Sequence, residues 1–483
     1  MKTLQPSLVW NFFHEITQIP RPSKKEERII AYLKDFGKKH NLATKSDEAG
    51  NVLISKPAII GYEKHKTIIL QSHIDMVCEK NSDVVHDFDT DPIQTYIDGD
   101  WVKAKGTTLG ADNGIGMSMM LAVLASDDLK HPALECLFTV DEETGLTGAF
   151  ALKQNFLSGE IVINLDSEDD GEVFVGCAGG IDTVAKLSYK TEKTPEHYFG
   201  FTVSVKGLQG GHSGDDIDKG LGNANKILNR FLWSLNKNMD LRLFSFDGGN
   251  LRNAIPREAV AIACVPFSEK ETIRVMFNNY IHDLEIEIGD VEPKMKLEME
   301  SEPLQENVMD KKSSNALLNV LYACPHGVIA MSRDMPGLVE TSTNLASIKM
   351  KVGNIIEITT SQRSSVESSK HDIKQQIEAV FTLTGAEVTH GDGYPGWKPN
   401  LKSEILKVAT DSYVKLHKSQ PKVRAIHAGL ECGLFLEKYP FLDMISIGPT
   451  MKGVHSPDER LSISATLKCW KWLKEILASS VER

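Results

Sequence analysis

Short apolar runs, none longer than seven residues, alternate along this chain with stretches of helical periodicity. Four of the runs are rich in Ile, Leu, Val and Phe, at residues 67–71, 134–140, 161–165 and 442–447. Continuous runs of this length are typical of strands that are buried on both faces of a parallel sheet. The alternation of such strands with helices therefore predicts an α/β domain, with a mostly parallel sheet flanked by helices.

Apolar residues at helical spacing mark the segments around these runs. Residues 8–19, 26–40 and 463–480 each carry an apolar stripe, and a proline at position 20 ends the first of them. Residues 116–126 are apolar nearly all round, which predicts a buried helix.

The middle of the chain has a different texture, with apolar and polar residues alternating in 199–206, 259–266 and 354–361. Alternation predicts an antiparallel sheet with one wet face, and helical segments would cover the other face. We see no tandem repeat. The sequence therefore predicts an α+β domain at residues 182–397, inserted into a first domain that comprises residues 1–181 and 398–483.

Composition excludes several classes of protein. With 54 Lys and Arg against 66 Asp and Glu, the net charge is −12, which argues against a nucleic-acid binder. No apolar run approaches the ~18–20 residues of a membrane helix, and no signal peptide is evident. Seven scattered cysteines without a C-x-x-C pair argue against disulfides and thiolate zinc sites. We therefore expect a cytoplasmic protein that binds neither membranes nor nucleic acids.

The sharpest local signal is the pair His73 and Asp75, which ends the first apolar run. Residues two apart on a strand share a face, and ligands in open α/β sheets gather beyond the carboxyl ends of the strands. An imidazole is a good zinc ligand, and a carboxylate beside it could set its tautomer. A hydrogen-bonded strand end without catalytic function is the alternative reading.

Further ligand types occupy equivalent places. Asp112 precedes the buried helix, Glu142 and Glu143 follow the second run, Asp166 ends the third, and His455 lies in a Gly/Pro loop after the fourth. Taken singly, Asp112 could be a helix N-cap, Glu142 and Glu143 could lie in a solvated turn, and Asp166 in a solvated acidic loop. Carboxylates gathered at one sheet edge repel one another, however, and need cations to be tolerable. The set suits a pair of Zn²⁺, Mn²⁺ or Co²⁺ ions.

The motifs HIDMVCEK, GADNGIG, DEETGLTGA, NLDSED, GGHSG and GVHSPDE, in this order, resemble the M20 family of dinuclear zinc peptidases. The resemblance spans essentially the whole chain, and the string at 427–433 (HAGLECG) is similar to the dipeptidases of the family. It implies a catalytic domain interrupted by a lid domain at 182–397, and a homodimer formed through the lid.

The resemblance also implies roles for the polar residues. Asp112 would bridge two ions, with His73 and Asp166 completing one ion. Glu143 and His455 would complete the other. Glu142 matches the general base, which would take a proton from a water held between the ions, and Asp75 matches the acidic residue behind the metal-binding histidine.

Substrate contacts are implied at His212, Asn253, Arg363, Gly429 and Glu431. His212 matches a lid histidine that contacts the tetrahedral intermediate, and Arg363 an arginine that would grip a terminal carboxylate. Without the resemblance, His212 reads as an exposed residue of a Gly-rich turn and Arg363 as a surface arginine. Glu431 could equally be a buried structural carboxylate.

The first hypothesis is a zinc-dependent dipeptidase that hydrolyses unblocked dipeptides and prefers Xaa-His, including carnosine-like substrates. Co²⁺ or Mn²⁺ could replace Zn²⁺. An N-acyl-amino-acid amidohydrolase or a broad-specificity dipeptidase of the same family is the alternative. A non-catalytic peptide-binding protein on the same fold is a hypothesis of a different class, and it would require the loss of a ligand or of the base.

Overall fold

The computed structural model describes residue 1 and residues 3–482. Contacts within the chain separate two compact units. The first unit comprises Met1–Cys177, Trp397–Ala425 and Leu430–Arg483, and the second comprises Ala178–Gly396 and Ile426–Gly429. The boundaries at 181/182 and 397/398, and the lid role of the insertion, stay predictions. No sequence pattern indicated that Ile426–Gly429 belongs with the second unit.

The helices follow in chain order: α1 (Ser7–Thr17), α2 (Glu27–Lys39), α3 (Ala111–Ala125), α4 (Glu142–Gly145), α5 (Thr147–Ala151), α6 (Ala224–Asn238), α7 (Lys270–Ile288), α8 (Lys311–Ala323), α9 (Glu367–Thr382), α10 (Glu404–His417), α11 (Glu431–Lys438) and α12 (Ile463–Ala478).

The strands of the chain are β1 (Ala43–Ser46), β2 (Val52–Lys56), β3 (Ile68–His73), β4 (Thr95–Asp98), β5 (Trp101–Ala104), β6 (Leu134–Thr139), β7 (Ile161–Asn164), β8 (Glu172–Cys177), β9 (Gly179–Ser188), β10 (Thr191–Lys193), β11 (Tyr198–Lys206), β12 (Gly211–His212), β13 (Arg242–Gly248), β14 (Ala254–Ile255), β15 (Ala259–Pro266), β16 (Lys296–Ser301), β17 (Asn307–Met309), β18 (Gly327–Met331), β19 (Val339–Lys351), β20 (Ile355–Ser364), β21 (Glu387–His390), β22 (Lys422–Ile426), β23 (Asp443–Ser446), β24 (Met451–Lys452) and β25 (Arg460–Ser462).

The main sheet of the first unit confirms the predicted α/β class. Its strand order is β1-β2-β6-β3-β7-β23-β8-β22. The strands β6, β3, β7 and β23 run parallel to one another, and β1 and β2 pair antiparallel with each other. β3, β6 and β7 are buried along their whole length, as the continuous apolar runs predicted. The carboxyl ends of the four parallel strands lie at one edge of this sheet, where ligand sites form in such folds.

The buried helix α3 begins five residues earlier than its apolar pattern indicated, at Ala111 rather than Gly116. The additional turn contains Asp112 and Asn113, whose backbone angles are not helical. The side chains of this turn are polar, so the hydrophobic pattern did not predict it. The same turn contains Asp112, a candidate metal ligand of the first unit.

The second unit contains the predicted antiparallel sheet, and its topology is a repeat. β11-α6-β13-β15-α7-β16 is a β-α-β-β-α-β unit with strand order β16-β11-β15-β13. A second β-α-β-β-α-β unit has the same connections and consists of β9, α8, β19, β20, α9 and β21. Its strand order is β19-β20-β9-β21. The first copy is inserted into the first crossover of the second, and the copies meet where β13 pairs with β19. Their apolar side chains share one core.

Over residue 1 and residues 3–482, no helix is both long enough and apolar enough to cross a membrane.

We expect Gly448, which follows β23, to be required for stability. A Cβ atom at this position would lie 1.6 Å from the carbonyl oxygen of Ser167, so the backbone would have to move. We expect Gly448→Ala to lower the free energy of unfolding by about 3 kcal/mol, measured by thermal or urea unfolding. Gly391→Ala is the control, because its Cβ would meet nothing nearer than 3.9 Å. Equal stability of the two variants would contradict this account.

The stability of the second unit should fall in acid because of His326. Burial lowers the pKa of this imidazole to about 4, below the ~6.5 of an unfolded chain. The folded state then binds fewer protons than the unfolded state between these values, so stability falls as the pH drops through that window. The free energy of unfolding, measured with urea between pH 6.5 and 5, should depend on pH less steeply in His326→Gln than in the wild type. The difference in slope should correspond to about one proton.

Candidate metal centre

His73 is the last residue of β3, and its side chain is completely buried. Its Nδ1 atom lies 3.2 Å from Asp75 Oδ1. Its Nε2 atom lies 3.1 Å from Asp112 Oδ1 and 3.4 Å from Asp166 Oδ1. If Nδ1 donates its hydrogen to Asp75, the Nε2 lone pair faces two carboxylate oxygens, which is stable only with a positive charge between them.

Asp112 faces two groups of side chains with its two oxygens. Oδ1 lies beside His73, whereas Oδ2 lies 3.2 Å from His455 Nε2, which in turn lies 3.1 Å from Glu143 Oε2. The structure therefore brings together the two predicted donor groups, one of His73, Asp112 and Asp166, the other of Asp112, Glu143 and His455. Within each group the ligand atoms lie within 4.8 Å of one another.

These residues fit a pair of divalent cations. Bonds of about 2.0–2.2 Å to a tetrahedral ion put neighbouring ligand atoms roughly 3.4 Å apart. The separations of His73 from Asp112 and Asp166, and of His455 from Asp112, are 3.1–3.4 Å. Glu143 Oε1 is buried and has no hydrogen-bond partner among the residues that the structure describes, so this oxygen is available to a cation.

The electrostatics of the site call for positive charge. Burial acts to lower the pKa of His73, but the carboxylates of Asp166 and Asp112 raise it well above its usual value. Hydrogen bonds with Asp112 and Glu143 raise the pKa of His455 to about 11. Each histidine thus lies in a strongly negative field, which a bound cation would neutralise in place of protons.

Asp75 organises the site without belonging to either donor group. Besides contacting His73, its carboxylate accepts the backbone N–H of Glu142 at 3.0 Å and of Glu143 at 3.2 Å, and the hydroxyl of Ser23 at 2.7 Å. Burial opposes the charge, but the hydrogen bond with His73 and these donors hold the pKa of Asp75 at about 2. Asp75 therefore fixes one histidine and both glutamates together.

Glu142 and Glu143 lie in the helical turn α4, not in the solvated turn that the sequence allowed. A Glu142 oxygen, a Glu143 oxygen and a nitrogen of His73 lie within 4.8 Å of one another. Burial raises the pKa of Glu142 well above its usual value, and the nearby carboxylates of Asp166 and Glu431 raise it further. A raised pKa makes the Glu142 carboxylate a stronger proton acceptor beside the two donor groups.

Glu431 is at the start of α11, buried in the first unit. Its Oε2 accepts hydrogen bonds from Gln71 at 2.6 Å and Thr139 at 2.9 Å. Burial raises the pKa of this carboxyl to about 8. These contacts suit the structural alternative as well as a substrate contact, so its role in binding stays a prediction.

The other predicted substrate residues lie in the second unit. Arg363, in β20, is buried rather than at the surface, and its Nη1 donates to the Tyr394 hydroxyl at 2.9 Å. Its Nη2 lies 3.5 Å from His212 Nε2 in β12. The Asn253 carbonyl accepts the Ser213 N–H at 2.8 Å, next to His212.

Gly429 packs against an aromatic ring in the same unit, since a Cβ there would lie 2.7 Å from Tyr394. His427, to which the sequence assigns no role, is buried nearby in the chain, and its Nε2 is 2.7 Å from Ser342 Oγ. Burial lowers the pKa of His427 to about 3. The binding roles of His212, Asn253, Arg363 and Gly429 stay predictions.

Two residues that the sequence analysis did not select contact the backbone of the site. Glu459 accepts hydrogen bonds from the turn that contains Asp112. Arg21 donates to the Asp75 carbonyl. Glu459 belongs to the GVHSPDE motif, which was a usable signal, whereas no pattern marks Arg21.

Residues 69–479 match the model of peptidase family M20/M25/M40, and the chain belongs to this family. It is 44% identical to the cytosol non-specific dipeptidase of Escherichia coli K12, over 99% of this chain and 98% of that protein.

Solved structures show the same similarity. The aminoacylhistidine dipeptidase from Vibrio alginolyticus is 44% identical, with a TM-score of 0.95 over 100% of this chain and 98% of its own. A tripeptidase from Staphylococcus aureus, 17% identical with a TM-score of 0.56 over 98% of each chain, shares the fold.

Metal content should follow the two donor groups. We expect the wild type to hold two divalent ions per chain, Asp166→Asn and Glu143→Gln one ion each, and Asp112→Asn none, because Asp112 serves both groups. Elemental analysis after dialysis against Zn²⁺ measures these ratios. Glu142→Gln is the control and should keep both ions. An Asp112→Asn protein with two ions would contradict the bridging assignment.

Proposed function

We propose that this protein is a metal-dependent dipeptidase that hydrolyses unblocked dipeptides and prefers histidine at the second position, including carnosine-like substrates. The observation that carries the proposal is the pair of donor groups sharing Asp112, with Glu142 beside them. The two full-length relatives at 44% identity are named as dipeptidases, one of them for aminoacyl-histidine substrates.

His73, Asp112 and Asp166 would hold one ion, and Asp112, Glu143 and His455 the other. Zn²⁺ suits this set of imidazole and carboxylate ligands, and Co²⁺ or Mn²⁺ could take its place. When bound, the ions would polarise the peptide carbonyl and make water acidic enough to attack near neutral pH.

Glu142 would be the general base. It lies next to both donor groups yet belongs to neither of them, so its carboxylate can accept the proton of the attacking water and pass it to the leaving amine. Asp75 would keep the α4 turn and the His73 ring in place during this transfer through the contacts described above.

Arg363 would bind the substrate's terminal carboxylate. Its guanidinium is buried, and within residues 1 and 3–482 its Nε has no hydrogen-bond partner, so a donor remains for an anionic ligand. His212 would contact the tetrahedral intermediate, and Asn253 the substrate close to it. Gly429 and Glu431 would line the pocket for the dipeptide.

We further propose that the second unit acts as a lid and as the dimerisation domain of a homodimer. All seven cysteines are free thiols, which supports a reducing cytoplasmic location.

A substrate panel tests this function. The enzyme loaded with Zn²⁺, Co²⁺ or Mn²⁺ is given Ala-His, Ala-Ala, β-Ala-His and N-acetyl-His, and free histidine or alanine is measured. We expect Ala-His to be hydrolysed with about tenfold higher kcat/KM than Ala-Ala, equivalent to ~1.4 kcal/mol. Chelation should abolish hydrolysis and added metal restore it. Faster cleavage of N-acetyl-His would instead identify an amidohydrolase, and equal rates on both alanyl dipeptides a broad-specificity dipeptidase.

Glu142→Gln separates catalysis from binding in the same assay. The variant keeps every proposed ligand, so it should retain both ions while kcat falls by roughly 10²–10⁴. Wild-type turnover in this variant would remove Glu142 from the base role. An enzyme that binds two ions and dipeptides but cleaves none would be the non-catalytic binding protein.

A further inference from the structure

Glu459 is a buried carboxylate that binds a run of consecutive backbone N–H groups. Its Oε2 accepts the N–H of Leu109 at 2.7 Å and of Gly110 at 3.0 Å. Its Oε1 accepts the N–H of Ala111 at 2.8 Å and of Asp112 at 3.3 Å. Both oxygens are therefore occupied by donors from the turn that carries the proposed bridging ligand.

These donors belong to the start of helix α3. The first N–H groups of a helix have no partner within it, and here the N-cap is Gly110, which has no side chain to offer. A carboxylate is a strong acceptor for such groups, because hydrogen bonds to a charged acceptor are stronger than those to a neutral one. The cap is thus supplied by a residue almost 350 positions away in the sequence.

The backbone of Glu459 is tied to the other candidate ligand. Its N–H donates to the carbonyl of Ser456 at 3.0 Å, and Ser456 directly follows His455. The His455 side chain is 52% exposed, against 13% for Asp112, so packing alone does not hold this histidine in place. Glu459 therefore joins the turn of His455 to the turn of Asp112.

Arg21 binds a carbonyl of the same turn. Its Nη2 donates to the Gly110 carbonyl at 2.5 Å, and its Nη1 to the carbonyls of Ile74 at 2.9 Å and Asp75 at 2.5 Å. A Cβ at Gly110 would lie 2.7 Å from Nη2, and the φ angle there is +68°, so only glycine allows this approach. The Glu459 carboxylate therefore binds the N–H groups of the turn, and the Arg21 guanidinium binds its carbonyl.

We propose that Glu459 is a positioning residue for the metal centre. By holding four successive N–H groups of the Asp112 turn and the backbone beside His455, it aligns Asp112 between the two donor groups. The inference rests on the proposed function, since it concerns ligands of the two ions. A simple helix cap would stabilise α3 equally but would leave metal affinity unchanged.

Glu135 offers a matched control. It is also a buried carboxylate of the first unit, and it accepts the N–H groups of Ser158 and Gly159 and the Ser158 hydroxyl. It lies near the start of β6, at the opposite end of the strand from Glu142. Glu135→Gln and Glu459→Gln each replace one oxygen of a carboxylate that binds backbone N–H groups by an NH₂ group. Only Glu459→Gln changes a contact to the turn that contains Asp112.

The experiment compares Zn²⁺ affinity, by competition with a chromogenic chelator, and thermal stability in the metal-free state for the wild type and both variants. We expect Glu459→Gln to bind both ions roughly 10–100-fold more weakly, the range typical of residues that orient metal ligands. Glu135→Gln should lose stability but bind Zn²⁺ like the wild type. Excess metal should restore the stoichiometry of Glu459→Gln.

Wild-type Zn²⁺ affinity in Glu459→Gln would overturn the positioning role while leaving the proposed function intact. A wild-type protein without affinity for Zn²⁺, Co²⁺ or Mn²⁺ would instead remove the proposed function itself. If Glu459→Gln does not fold, Glu459→Asp keeps the charge with a shorter reach. That variant should also weaken Zn²⁺ binding, and unchanged affinity in it would equally refute the proposal.

Discussion

The mutual repulsion of carboxylates at one sheet edge is the constraint around which the first unit is built. Asp112, Glu143 and Asp166 converge there beside two histidines, and the nearby carboxylate of Glu431 adds to burial in raising the pKa of Glu142. Such an arrangement is unfavourable unless positive charge is present. The surrounding contacts therefore hold together carboxylates that would otherwise move apart. A preorganised site for two ions requires the same constraint.

A buried polar network continues beneath this edge. Gln71 in β3 donates to Glu431 and accepts from Asn164 in β7, while Asn164 also contacts Ser446 in β23. Central strands of a parallel sheet are normally apolar, and every polar atom placed there needs a partner. The network links three neighbouring strands directly below the loops that carry the ligands. It thereby makes the position of those loops depend on the packing of the sheet itself.

The second unit shows how a fold can repeat without a sequence repeat. Its two β-α-β-β-α-β copies share strand order and connections, yet one is interrupted by the whole of the other, so equivalent segments are far apart and not in tandem. Apolar alternation predicted the strands because it reports local burial. It could not report the nesting, since the order of strands in a sheet is set by which edges meet after folding.

The amino-acid sequence by itself indicated the central parallel strands, several helices, the fold class and the membership of the candidate donor set, because periodicity and residue chemistry are local properties. His73 and His455 could be chosen from their places after apolar runs, and Asp112 from its place before the buried helix. Only the tertiary structure decided that the two oxygens of Asp112 face different partners, that Arg363 is buried, and that Glu459 caps α3. These depend on approaches between segments as many as 350 residues apart, and no local pattern encodes the direction of a side chain across such a distance.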